Sequence, residues 1–215
     1  MDGIRETIKS VKKQVALYIL PSVTVISRQN DPYRVLVSCM LSLRTKDEVT
    51  MLAADKLFKA AGSINNMVRL SCGRIEKLIY PVGFYRTKAR AILKTNKKIL
   101  DYYGGKVPCN IEKLLSLSGV GRKTANLVMG LACNIPAICV DTHVHRMSNR
   151  LGWVNSKRPD ETEEQLKKVV PKKYWISLNT IFVSFGRNIC KPVSPHCSAC
   201  SVSKHCRKIG VKRSR

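Results

Sequence analysis

Four cysteines near the end of the chain, Cys190, Cys197, Cys200 and Cys206, are spaced C-x6-C-x2-C-x5-C. Thiolates are soft ligands, and four of them can hold a zinc ion or a [4Fe–4S] cluster. Zinc usually takes two close C-x2-4-C knuckles, whereas only one pair here is that close. His196 and His205 stand among them, as substitute ligands or as exposed basic residues. A second candidate is Ser118-Gly119-Val120-Gly121, between two helical segments. Two glycines let a backbone take φ > 0 and approach a partner with no Cβ in the way. The amides that follow open a helix, so their N–H groups and the positive dipole end suit one phosphate without reading sequence. A plain helix–helix turn uses the same residues. Lys123 follows the turn by two residues, and by type alone it is one more solvated cation. Asp141 precedes a helical segment and has the position of an N-cap.

The elements that must hold these residues are helical. Asp31-Pro32 starts a helix in which Val35, Leu36, Cys39, Met40 and Leu43 follow helical spacing. The pattern predicts further helices over 47–60, ended by Gly62, and after Ser63. Others are predicted over 86–103, stopped by Gly104-Gly105, and in two short pieces over 114–132. The set closes with 142–151, 159–169 and 174–190. Ile4, Ile8, Val11 and Val15 form a core stripe on a first helix. No group of alternating β-rich segments occurs, so the fold class is all-α. A weak internal repeat aligns residues 78–89 with 114–125 at a shift of 36, each copy reading helix, glycine turn, helix. Only the second copy has the second glycine.

Composition bounds the partners. Lys and Arg total 39 against 14 Asp and Glu, a net charge of +25 in 215 residues. A field this positive favours a polyanion, because each neutralised phosphate releases condensed counterions. Aromatics are only 6%, which speaks against a stacking platform for single strands. No run of about 18 apolar residues is present to span a membrane. Residues 1–20 include Asp2, Arg5, Glu6, Lys9, Lys12 and Lys13, so no secretory leader is expected. In the reducing, intracellular setting this implies, clustered cysteines bind metal more often than they pair. Cys39, Cys72, Cys109, Cys133 and Cys139 are scattered and read as small buried apolar groups.

Leu117-Ser118-Gly119-Val120-Gly121-Arg122-Lys123-Thr124-Ala125-Asn126 resembles the helix-hairpin-helix of the endonuclease III family. Val140-Asp141-Thr142-His143-Val144-His145-Arg146 is similar to the family's following Val-Asp-Thr-His segment, and the spacing from Lys123 to Asp141 matches. The cysteine spacing is similar to the family's iron–sulfur loop. Together these cover most of the chain. The resemblance implies a DNA glycosylase and AP lyase of base excision repair, carrying a [4Fe–4S] cluster on Cys190, Cys197, Cys200 and Cys206. It implies duplex DNA with a damaged base or abasic site as partner, oxidised pyrimidines as lesions, and action as a monomer inside the cell.

By the same resemblance Lys123 is the nucleophile and Asp141 the catalytic carboxylate. Attack on C1′ needs a neutral amine, and an ordinary lysine, of pKa about 10.4, is neutral in roughly one molecule per few thousand at pH 7. A helix N-terminus, a basic surround and desolvation all disfavour the ammonium form. Gly119, Val120, Gly121, Arg122 and Thr124 are implied to contact DNA, with Ser42 and His143. Extruding a base requires a group to fill the hole in the stack. Arg44 stands where many members carry glutamine, and Phe84, in the first hairpin copy, matches an apolar wedge. Ser118 replaces the usual proline, which loosens the turn but removes no amide.

The resemblance further implies two helical lobes with a cleft between them, residues 24–137 and residues 1–23 with 138–215, Asp141 facing Lys123 across the cleft. Two other readings compete. An adenine glycosylase of the same superfamily generally lacks lysine at this position and adds a C-terminal domain, whereas this chain ends soon after Cys206. A non-catalytic DNA-binding iron–sulfur protein has no need of both Lys123 and Asp141.

Overall fold

The computed structural model describes residues 2–215; Met1, the first residue of the stretch read for a leader, lies outside the described residues. Twelve α-helices and no strand occur among the described residues. They are α1 (Asp2–Val15), α2 (Ser22–Ser27), α3 (Pro32–Ser42), α4 (Asp47–Ala60), α5 (Ile64–Met67) and α6 (Cys72–Ile79). Then follow α7 (Tyr85–Tyr103), α8 (Ile111–Leu115), α9 (Arg122–Leu131), α10 (Thr142–Leu151), α11 (Pro159–Val169) and α12 (Trp175–Asn188). None is long and apolar enough to cross a membrane.

Capping chemistry explains most of the starts. Asp31 Oδ1 accepts from the amides of Tyr33 (2.9 Å) and Arg34 (3.2 Å), with Pro32 in the first turn of α3. Ser63 caps α5 and Asn110 caps α8 in the same way. The Asn110 cap starts α8 at Ile111, three residues before the start expected at Leu114. The short α2 has no sequence signal of its own; the Ser22 amide and hydroxyl are held by the Asp47 carboxylate, 25 residues on.

Two compact units follow from the backbone contacts: Ser22–Ile135, and the segment up to Pro21 with Pro136–Arg215. The continuous unit is built around α3, which packs on α2, α4, α7 and α9. Its core includes Leu36, Met40, Leu57, Ile75, Ile79, Ile92 and Ile99, all fully buried. The split unit packs α1 and α10 on α12, and Ile8, Val11 and Val15 supply the stripe of α1 that meets Phe182 and Phe185 in the core. Burying one such side chain contributes about 1.5–3 kcal/mol.

The cysteines depart from expectation at three positions, of which Cys72 is half-buried rather than buried. Cys39 and Cys139 are buried, but Cys109 and Cys133 are joined by a disulfide. The bond connects the loop before α8 to the loop after α9, so the covalent ring encloses the whole second hairpin. Cys109 is exposed, so it is not the buried apolar group its type suggests.

Candidate functional site

The second hairpin joins α8 to α9. Gly119 has φ +75°, and a Cβ there would lie 2.9 Å from Ala91 Cβ and 3.4 Å from Met40 Cε. Only glycine fits, because both the dihedral and the packing against α7 and α3 exclude a side chain. The Ser118 carbonyl accepts from Thr95 Oγ1 (2.8 Å) and the Ser116 carbonyl from Lys98 Nζ (2.9 Å), both on α7. In a trans peptide the C=O and the next N–H point opposite ways. The Gly119 amide is therefore turned away from α7. Gly121 differs: its backbone is extended, and a Cβ there would meet nothing within 4 Å. Nothing inside the chain requires glycine at 121. It is the N-cap of α9, which starts without a side-chain cap.

Lys123 is the second residue of α9 and is half-buried. Its ammonium acts electrostatically on the Cys39 thiol of α3, which burial pushes up to about 12 while Lys123 pulls it down. Arg122 is exposed beside it. The side chains of Val120 and Thr124 are 6% and 2% exposed. They face the core, and the Val120 amide donates to Leu117 O.

The first hairpin copy lies between α6 and α7. A Cβ on Gly83 would come within 2.6 Å of Arg44 O, so this turn touches the loop after α3. Arg44 and Phe84 both have positive φ, 52° and 57°. The Arg44 guanidinium lies 5.7 Å from the Phe84 ring centre, and Phe84 is 62% exposed. Ser42, half-buried, spends its hydroxyl on Cys39 O at 2.9 Å. Arg44, Phe84, Met40, Lys88 and Gly119 share the wall of one cavity of about 380 Å3, which brings the two hairpins and the Arg44 loop to one place. Lys88 was not singled out in the sequence. A lysine on the buried stripe of α7, with Ala89, Ile92, Thr95 and Ile99, was the available signal.

Asp141 caps α10, its Oδ1 accepting from the amides of His143 and Val144, both at 2.9 Å. His143 Nδ1 lies 3.1 Å from Arg146 Nη2. Arg146 continues to the carbonyls of Gly186 and Cys190.

Cys190, Cys197, Cys200 and Cys206 line one small apolar pocket with Ile189, Pro195 and Val211. Among the described residues no three His, Cys, Asp or Glu are gathered to hold a metal ion. The thiols instead ring a space between them. Burial pushes the Cys200 and Cys206 thiols up, the neighbouring cysteines add to this, and backbone amides oppose it. Four thiolates lining one pocket repel unless a cationic core neutralises them. Donors already reach two of the sulfurs, Arg150 Nη1 on Cys190 Sγ and the Lys208 amide on Cys206 Sγ, each 3.4 Å, while the Cys206 thiol donates to Arg150 O. The donor set thus fits an iron–sulfur cluster. The loop is fastened independently, since Gln14 bonds Ala199 O and the Ser201 amide.

A helical hairpin flanked by a half-buried lysine, on an all-α frame, is the arrangement of one repair superfamily. The model of the HhH-GPD superfamily of base excision DNA repair proteins matches residues 37–172. Endonuclease III of Thermotoga maritima is 46% identical over 179 residues, covering 83% of this chain and 84% of that protein. Endonuclease III of Bacillus subtilis is 37% identical over 187 residues, covering 86% and 84%. The solved structure of a trapped endonuclease III–DNA covalent intermediate, an estranged-adenine complex, superposes with a TM-score of 0.83 at 32% identity, covering 95% of this chain and 94% of that one. The chain belongs to the HhH-GPD superfamily and, within it, to the endonuclease III family. It is a base excision repair DNA glycosylase with AP lyase activity, and it binds DNA.

Proposed function

We propose that the enzyme removes oxidised pyrimidines from duplex DNA and nicks the strand 3′ to the site through a Schiff base on Lys123. The observation that carries this is the position of Lys123, two residues behind a glycine whose missing side chain nothing in the fold requires. The open backbone at 121, at the N-terminus of a helix without a side-chain cap, suits a phosphate, and the amine is then beside the sugar it must attack. A relative has been trapped in a covalent intermediate with DNA, which supports the same chemistry here.

In this reading the neutral Lys123 Nζ attacks C1′ and the base departs with the C1′–N bond electrons; the new C1′–amine loses a proton, and the sugar ring then opens, the C1′–O4′ bond breaking with O4′ taking up a proton as C1′ becomes doubly bonded to Nζ. The resulting iminium acidifies the C2′ proton, and β-elimination expels the 3′ phosphate. Asp141 stabilises positive charge developing on the sugar or takes the lysine proton. Its Oδ1 is held by two amides, which fixes the carboxylate and leaves the chemistry to Oδ2. Arg44 and Phe84 enter the duplex as the base is extruded, and Gly119, Val120, Gly121, Arg122, Thr124, Ser42 and His143 line the DNA path, Val120 and Thr124 through their backbone. Cys190, Cys197, Cys200 and Cys206 would hold a [4Fe–4S] cluster, which when bound supplies iron–thiolate bonds tying four points of the loop together. The enzyme acts as a monomer and, its substrate being DNA, inside the cell.

The test is a panel of duplexes carrying single lesions, with base release and nicking measured separately. Oxidised pyrimidines are expected to be released and nicked by the parent enzyme, and the Lys123→Gln variant to lose nicking. Nicking retained in Lys123→Gln contradicts the assignment. Iron analysis with visible absorption tests the cluster, zinc in its place being the contrary result.

A further inference from the structure

Lys88 is 8% exposed, one of two cationic side chains buried among the described residues, with Arg150 at 9%. Its ammonium donates to Leu41 O (2.7 Å), Leu43 O (2.5 Å) and Thr45 Oγ1 (3.1 Å). Leu41 lies in the last turn of α3 and Leu43 is its C-cap, so both carbonyls lack a helical partner and sit at the negative dipole end. Thr45 Oγ1 also accepts from the Gly83 amide at 3.2 Å. One amine therefore binds the Arg44 loop from below, and one hydroxyl ties that loop to the turn carrying Phe84. Gly83 allows the two backbones to meet, since any side chain there would strike Arg44 O. Arg44 and Phe84, both in the left-handed region, are the tips that emerge. Such residues persist in strained conformations only when their surroundings over-determine them.

We propose that Lys88 is a positioning residue that locks the Arg44 loop and the Phe84 turn into one rigid two-pronged probe, and that this rigidity lets the enzyme open paired DNA. The proposal rests on the reading that Arg44 and Phe84 enter the duplex. Lys88 itself touches neither lesion nor sugar, being committed to carbonyls of its own chain. Without the amine, two helix-end carbonyls and Thr45 lose their shared donor, and the prongs lose their fixed separation.

The discriminating experiment compares the same lesion in fully paired duplex and in a pre-opened bubble, where no base pair has to be broken. In Lys88→Met the ratio of duplex to bubble kcat/KM is expected to fall about tenfold to a hundredfold, the scale of an ångström-level misplacement. Thr45→Val, a gentler change, should lower the ratio in the same direction and carries the test if Lys88→Met does not fold. A variant damaged only in overall structure loses both activities together and leaves the ratio unchanged; that result, with melting followed in parallel, overturns the proposal. Phe84→Ala and Arg44→Ala separate the two readings. If they lower the ratio and the Lys88 and Thr45 variants do not, Lys88 is not the positioning residue. If they leave the ratio unchanged, it is the insertion of the prongs that fails.

Discussion

The two hairpins of the continuous unit share a scaffold and use its lysines in opposite ways. At the shift of 36, Lys123 aligns with Thr87 and Lys88 with Thr124. Thr87 is exposed and Lys123 half-buried; Lys88 and Thr124 are both buried. A step of one residue turns a side chain about 100° around a helix. The inward position thus holds a lysine in the first copy and a threonine in the second, and the outward position the reverse. An inward lysine is consumed by backbone carbonyls. A lysine one residue earlier is half-buried, two residues past the glycine opening. The means of bracing also differ: the first hairpin is tied by one buried amine and Thr45, the second by Thr95, Lys98 and the Cys109–Cys133 cross-link.

The largest expected effect comes from exchanging the outward amine. Lys123→Gln should lower nicking by about 10³-fold or more, as loss of a nucleophile does elsewhere. Lys88→Gln should lower it far less on pre-opened DNA, and gel assays of both on abasic DNA check the contrast. Next is the cross-link: cysteine-to-serine changes at 109 and 133 remove a ring around the second hairpin alone. Loop closure of that size is worth about 3 kcal/mol, so calorimetry should show a drop in Tm of roughly 6–12 °C.

The glycines sharpen the comparison further. Gly119→Ala meets Ala91 and an adverse φ, and should cost about 1–3 kcal/mol. Gly121→Ala should leave stability within about 0.5 kcal/mol yet weaken DNA binding, measured by fluorescence anisotropy. A stability loss at 121 equal to that at 119 would erase the distinction between a packing glycine and one kept open for a partner.

The smallest effect is a pH signature. Burial lowers the Lys88 amine from 10.5 to about 8. Between these values the unfolded chain binds more protons, so stability contributed by this residue rises with pH across that window and is flat below about 8. The melting gap between parent and Lys88→Met should therefore widen from about pH 7.5 to about pH 9.5. A constant gap would mean that the amine is not desolvated.

Most helices were legible because their boundaries are local. Asp31-Pro32, Ser63 and Gly104 act within a turn of themselves, and the expected span 142–151 is that of α10. The cysteine quartet and the glycine turn were also visible as short-range spacing. What stayed hidden depends on tertiary placement. Nothing near Cys109 or Cys133 marks them as partners, because they meet only once α8 and α9 have folded back. Thr124 reads as part of a DNA-binding motif, yet the packing of α9 on α3 turns its side chain inward. Lys88 looks like any lysine until the three carbonyl and hydroxyl oxygens around it are seen.

The most direct test of the central claim is to reduce the enzyme with borohydride on abasic DNA and locate the adduct by peptide mass mapping. The cross-link is expected on Lys123, with no adduct formed by Lys123→Gln. An adduct on Lys88 or on any other amine, undiminished when position 123 is changed, would contradict it.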